Sequence, residues 1–477
     1  MRLLLIICFT VVLFDLVGLI WSVADEKPHE AFVALTAPPI RSMQDPKHNS
    51  YFFMVGFAVP STMQPLQTGY EMWLEADQAD RYFDYAKDAR VQAQLDRETI
   101  HTVSMWRMAN LLNPAEPPYL QPAEQNDLLQ SRYQQWLMMP FEDRGYGLRG
   151  SVRFAELFVA HRRYLASGNA GDLPGLIDRL ERDLTAWRTI LAEARTLPMK
   201  IIAAVVVEDD AIVLSELLKQ PDLPKTAMVR LGTLARPLNY FEQSLRYPMQ
   251  SEFVVGAHRY GSAQVDDPKL LEDDRANLRW LAAVARLNAD AFQRVALRPP
   301  DSKIARAFLQ KQRTLNIYAK YYDAAIKVSD TGDGPMPKLS VFVRSAPRSF
   351  FDYLMAPAFT SVDAVLGSGQ EITWEPLMAR MRETDARLRL AGLQVMLRAP
   401  GAQAVPMRLA QVGTALYDPF SGIPMLWNNE KSVLYSVGRD GLDDGGDTTL
   451  DVTVVNPLVQ SEMPAVPAKS RRVAPTH

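Results

Sequence analysis

DLPGLIDRLERDLTAWRTILAEA, residues Asp172 to Ala194, gives the clearest reading of how this chain folds. Leu173, Leu176, Ile177, Leu180, Leu184, Trp187 and Leu191 recur at three- and four-residue spacing, which lines them along one face of an α-helix. Asp172 stands where an N-cap would offer its side-chain oxygen to free amides, and Pro174 is tolerated in a first turn. Such a stripe must be buried against a neighbour, and the chain supplies neighbours of the same kind. LEDDRANLRWLAAVARLNADAFQRVAL from Leu271 carries Leu278, Leu281, Val284, Leu287 and Phe292 on one face. SKIARAFLQKQRTLNIYAKYYDAAIK from Ser302 predicts another helix, and TWEPLMARMRETDARLRLAGLQVMLR a third, with Thr373 as cap and Pro376 in its first turn. No fixed period links them, so a body of helices packed on helices is expected over residues 71–400, not a solenoid.

At 477 residues the chain is longer than one ordinary domain, and its formal charge is only -3. A phosphate-binding surface would need a basic stripe, and none is visible, so nucleic acid is not an expected partner. Cys8 is the only cysteine. The chain beyond it therefore has no disulfide, thiol nucleophile or thiolate metal site.

Cys8 lies within LLLIICFTVVLFDLVGLIWSVA, Leu3 to Ala24, a run long enough to cross a bilayer at about 20 residues per span. Arg2 precedes it while Asp25 and Glu26 follow, so the amino end should stay cytoplasmic and the body should be exported. Residues 1–24 are read as a single transmembrane anchor in a bacterial inner membrane, with the body in the periplasm. The alternative is a signal peptide cut after Ser22-Val23-Ala24, leaving a free periplasmic protein. Asp15 interrupts the run, at a cost of roughly 2.5–3.5 kcal/mol in mid-membrane. That suits a partner helix, a protonated Asp15 or a segment that is removed.

Residues 25–70, rich in proline and short apolar patches, read as an extended lead-in. After Pro400 the texture changes: SVLYSV (Ser432 to Val437) and the alternating LDVTVV (Leu450 to Val455) predict strands within a small β-rich unit over residues 401–458. Residues 459–477 have no apolar periodicity and read as a disordered tail.

Few motifs carry chemistry. His29-Glu30 is not followed by a second histidine at zinc spacing, and the six histidines are scattered. No phosphate-binding loop, nucleophile elbow or dinucleotide glycine pattern occurs, so no nucleotide is expected. Asp330-Thr331-Gly332 matches the aspartic-protease triplet, but YDAAIKVS before it reads as a helix, which makes the triplet a turn after that helix. Glu208-Asp209-Asp210 lies between two strongly apolar stretches in PMKIIAAVVVEDDAIVLSELLK. Two readings stand: a helix whose narrow polar side carries Lys200, Asp209 and Glu216, or buried carboxylates, Glu208 and Asp209, available for hydrolytic acid–base work.

The remaining acidic group is GRDGLDDGGD, Gly438 to Asp447, between the two expected strands. Calcium takes six to eight oxygen ligands in flexible loops, though Leu442 breaks the EF-hand pattern. Tyr417-Asp418-Pro419-Phe420, Gly422, Pro424, Tyr435-Ser436-Val437-Gly438, Asp440-Gly441 and Gly445-Gly446-Asp447 together resemble the C-terminal motif of type II secretion major pseudopilins. That resemblance implies a structural calcium ion held by Asp440, Asp443, Asp444 and Asp447. It covers about thirty residues. At the N-terminus Cys8 replaces the glycine needed for pseudopilin processing, Leu13 stands at the glutamate position, and the helical body has no counterpart. The whole chain is more similar to bacterial membrane-anchored or exported proteins that end in a like segment, a resemblance that implies architecture and no activity. The expected function is a non-enzymatic structural or interaction role in the envelope, with an envelope protein as partner. A periplasmic hydrolase using Glu208 and Asp209 is the alternative.

Overall fold

The computed structural model describes residues 25–39, 48–79, 128–146, 152–167, 172–261, 279–287, 311–337, 374–398 and 405–455. The expected anchor (residues 1–24) and tail (residues 459–477) lie outside them. Among the described residues no helix is long and apolar enough to cross a membrane.

The described chain is mainly α, with helices packed on helices and one small sheet. Its helices are α1 (Glu30–Thr36), α2 (Ser50–Val55), α3 (Pro65–Ala79), α4 (Leu128–Leu137), α5 (Phe154–Ala166), α6 (Leu173–Glu193) and α7 (Leu197–Leu218). They continue with α8 (Lys225–Leu234), α9 (Tyr240–Gln243), α10 (Arg246–Gly261), α11 (Lys311–Ser329), α12 (Glu375–Leu397) and α13 (Val405–Gln411). β1 (Leu426–Asn428), β2 (Val433–Ser436) and β3 (Val452–Val455) form an antiparallel sheet in the order β1-β2-β3.

In α6 the Asp172 side chain accepts from the Gly175 amide at 3.0 Å, Pro174 sits in the first turn, and the Leu176–Leu191 stripe is buried. α7 lies at the centre of the body, packed against α6 on one side and α12 on another. Its sequence is apolar almost all round, which suits a helix enclosed by others. Lys200 and Asp209, expected on a polar side, are 1% and 8% exposed. Only Glu216 of that trio reaches solvent to any extent, because neighbouring helices cover the side that was to face water.

Three other expectations change. The 25–70 segment is not extended: α1, α2 and the start of α3 lie in it, and Tyr51 to Val55 are buried core. Gly56 and Gly69 let the α2–α3 corner close, since a Cβ on Gly69 would stand 1.9 Å from the Phe52 carbonyl oxygen. Of the helix expected from Leu271, only residues 279–287 are described (Leu278 and Phe292 lie outside them). That stretch ends before Leu287, because Arg286 turns left-handed (φ 54°) and the Leu287 amide reaches back to the Ala282 carbonyl. For α12, Pro376 is in the first turn as expected, but Trp374 occupies the cap position without a side-chain bond; Thr373 lies outside the described residues.

α12 also joins the two cores. Leu377, Met378, Met381 and Leu388 face the main body, whereas Ala386, Leu390, Leu393 and Leu397 pack with Leu409 of α13 and Leu434, Val452 and Val454 of the sheet. The β-rich unit is thus completed by a helix that sequence alone assigns to the body.

Candidate functional site

Glu208, Asp209 and Asp210 project at successive angles from α7: the first meets α12, and the other two both turn toward α5, Asp210 toward α6 as well. Glu208 meets α12. Its carboxylate forms an ion pair with Arg380, another with Arg387 Nε at 2.5 Å, and a third with Arg286 Nη2 at 3.1 Å. Burial alone would raise this carboxyl, but the Arg380, Arg387 and Arg286 guanidiniums overcome it and hold it at about 2. The left-handed turn at Arg286 and the i, i+7 spacing of Arg380 and Arg387 on α12 converge these cations on one carboxylate.

Asp209 faces α5. Arg162 donates to it from Nε at 3.1 Å and from Nη2 at 3.3 Å, and His161 Nε2 stands 3.2 Å from Asp209 Oδ2. Burial opposes its charge, but Arg162 and then His161 prevail and keep the carboxyl below its usual range.

Asp210 faces α5 and α6, and here a polar chain runs through the core. Trp187 Nε1 donates to Tyr133 Oη at 2.6 Å, and Tyr133 donates to Asp183 Oδ1 at 2.5 Å. Asp183 Oδ2 lies 2.6 Å from His161 Nδ1. His161, Asp183 and Asp210 are all 0% exposed. Burial would discharge His161, yet the Asp183 carboxylate beside it carries the imidazole up to about 10. Burial first, and then the Asp183 charge, push the Asp210 carboxyl well above its ordinary range. No hydrogen-bond donor reaches either Asp210 oxygen.

Among the described residues, His161, Asp183 and Asp210 are the one group of three or more metal-ligating side chains whose donor atoms lie within 4.8 Å of one another. In the sequence His161 is one of six scattered histidines, and Asp183 belongs to no motif. A signal was present: Asp183 sits on the apolar face of α6 between Leu180 and Trp187, and His161 falls between Leu157 and Leu165 at i±4.

Two further buried charges tie helix ends. Lys200 Nζ donates to the Leu191 carbonyl at 2.7 Å and the Phe241 carbonyl at 3.0 Å, and burial, opposed by Glu242, lowers its amine to about 7. Arg188 of α6 meets Glu242, which also completes a capping box with Asn239 at α9.

The C-terminal loop has a different character. Asp418 is its buried anchor: it accepts from the Phe420 amide, Ser436 Oγ and the Val437 amide at 2.8–3.0 Å. Asp440 accepts from the Leu442 amide, Asp443 from Tyr435 Oη and the Gly445 amide, and Asp447 from Thr449. Burial and then the neighbouring carboxylates of Asp440, Asp447 and Asp443 raise the Asp444 carboxyl. The four aspartates are close enough to repel, but three of the four spend oxygens on the loop's own turns. The triplet Asp330-Thr331-Gly332 is a turn after α11, held by Arg382.

A surface cavity of about 650 Å³ lies between α4 and α6, with Trp136, Met138 and Met139 as apolar wall. Its two acids, Asp178 and Glu181, are both bound by Arg230, and neither Glu208 nor Asp209 lines it. No protein-family model, curated protein or solved structure matches the chain.

Proposed function

We propose that the chain is a non-catalytic structural or interaction protein of the bacterial cell envelope, with its helical body held in the periplasm by the apolar segment of residues 3–24. The observation that carries the non-catalytic half is the surround of Glu208. Three guanidiniums from α12 and the Arg286 turn saturate it, and Asp209 is likewise bound by Arg162 and His161. Hydrolysis by paired carboxylates needs one partner kept protonated as the acid. Glu208 and Asp209 are both arranged as anions and serve as ties between helices. The envelope half rests on the apolar run, its flanking charges and the resemblance of the C-terminal segment. Within this reading a calcium ion is structural: Asp440, Asp443, Asp444 and Asp447 would hold it, and it would relieve the crowding of charge around Asp444.

The test is topology in bacterial cells. The full chain with a C-terminal epitope tag is followed through fractionation and through protease treatment of intact cells and spheroplasts. The proposal expects the tag in carbonate-washed membranes, protected in intact cells and digested in spheroplasts. A soluble periplasmic chain beginning near Asp25 would support the cleaved alternative. A tag that survives in spheroplasts and is digested only after lysis would overturn the envelope assignment.

A further inference from the structure

We propose that His161, Asp183 and Asp210 form a buried site for one divalent transition-metal ion, zinc or manganese, that ties α5, α6 and α7 together. The three residues come from three consecutive helices and are fully buried, with donor atoms within 4.8 Å of one another. Buried carboxylate oxygens ordinarily find donors, and an unmatched one is costly. Neither oxygen of Asp210 has a donor, and one of them is among the cluster's three donor atoms.

The surrounding bonds are those of a ligand set already oriented. Tyr133, itself held by Trp187, occupies Asp183 Oδ1 and leaves Oδ2 beside the imidazole. On the other side of the ring, Asp209 is bonded to Nε2, which fixes its orientation and leaves Nδ1 for the ion. A carboxylate behind a ligating histidine is the usual outer partner in metal sites. Ligation needs the imidazole neutral and Asp210 ionised, so the ion displaces one proton from each. The three carboxylates, Asp183, Asp209 and Asp210, against the single guanidinium of Arg162 then leave two negative charges. One divalent cation cancels them. The imidazole selects transition ions over calcium or magnesium, which prefer oxygen alone. Ligand atoms of a tetrahedral zinc site stand about 3.3 Å apart. His161 Nδ1 and Asp183 Oδ2, now 2.6 Å apart, would therefore separate by a fraction of an ångström on loading. The site is sealed from solvent, so the ion's role is to hold the fold, and its binding is coupled to folding. A proton on Asp210 directed at Asp183 would satisfy the same atoms, and the experiment separates the two.

The full chain is purified in mild detergent without chelator, and its metal content is measured by inductively coupled plasma mass spectrometry. It is then stripped with dipicolinate and melted with and without added Zn²⁺ or Mn²⁺. The expected result is one ion per chain, a melting temperature several degrees lower after stripping, and recovery with one of the two ions. Asp210→Asn should lose the ion and the recovery, while Asp440→Ala/Asp444→Ala should retain both. Stripped and untreated wild-type chains that melt together and respond to neither ion would overturn the site and favour the proton. Retention of the ion by Asp210→Asn, or its loss from the loop variant, would also overturn it. The wild-type comparison decides the matter even where Asp210→Asn fails to fold.

Discussion

Replacing Glu208 with glutamine removes one charge and keeps the shape, so it isolates what the three arginines do. Arg380 bears the loss, because its side chain is only 1% exposed. Arg387 is 19% and Arg286 59% exposed, so both can turn their guanidiniums toward water. Removing one partner of a buried pair costs about 3–5 kcal/mol. The lower end applies here, since Glu383 remains 3.3 Å from Arg380 Nη1. A loss of about 3 kcal/mol corresponds to a melting temperature roughly 6–12 °C lower for a unit of 150–250 residues. The assay is thermal and urea unfolding followed by circular dichroism. Glu208→Met/Arg380→Met removes both buried charges together and should be less destabilised than Glu208→Gln alone, since no uncompensated charge remains in the core. A Glu208→Gln chain that melts within a degree of wild type would refute the reasoning. So would a double variant that is worse than the single one.

Three further outcomes are expected. Lys200 has a folded-state value of about 7 against 10.5 when unfolded, so between those pH values the unfolded chain binds more protons and stability rises with pH. Its contribution is present above pH 10.5 and lost as pH falls through 7, with a slope near 1.4 kcal/mol per pH unit around pH 8.5. Urea unfolding from pH 7.5 to 9.5 should show this slope in the stability difference between wild type and Lys200→Met, because the opposite slope contributed by His161, whose imidazole is carried up to about 10, is common to both. Asp418→Ala strands the Val437 amide, Phe420 amide and Ser436 hydroxyl and should cost about 2–4 kcal/mol, read by urea unfolding and by faster proteolysis of residues 405–455. Calcium at about a hundredfold excess over its dissociation constant should raise the melting temperature by a few degrees, an effect absent in Asp440→Ala/Asp444→Ala; an equal shift in that variant would remove the loop from consideration.

The parts of this fold that were legible from sequence are those where one physical signal acts alone. The α6 stripe, its Asp172 cap and the alternation of β3 each follow from local periodicity, and each is found as expected. What was hidden depends on which elements come together. α7 has no polar face to read, so the burial of Lys200 and Asp209 is set by α5, α6 and α12 closing round it. β1 is three half-buried residues, LWN, whose strand character comes from pairing with β2. Asp183 and His161 were visible as polar residues on apolar faces, but their meeting with Asp210 depends on how three helices cross.

The most direct test of the claim that the α7 acids belong to a sealed structural core is native-state hydrogen exchange across residues 203–211. These amides lie in a buried helix enclosed by the main core. The account predicts that they exchange only through global unfolding, with protection equal to the full stability and parallel loss of protection in denaturant. Exchange through a small local opening, insensitive to denaturant, would mean that water reaches Glu208 to Asp210 in the native state and would contradict the account.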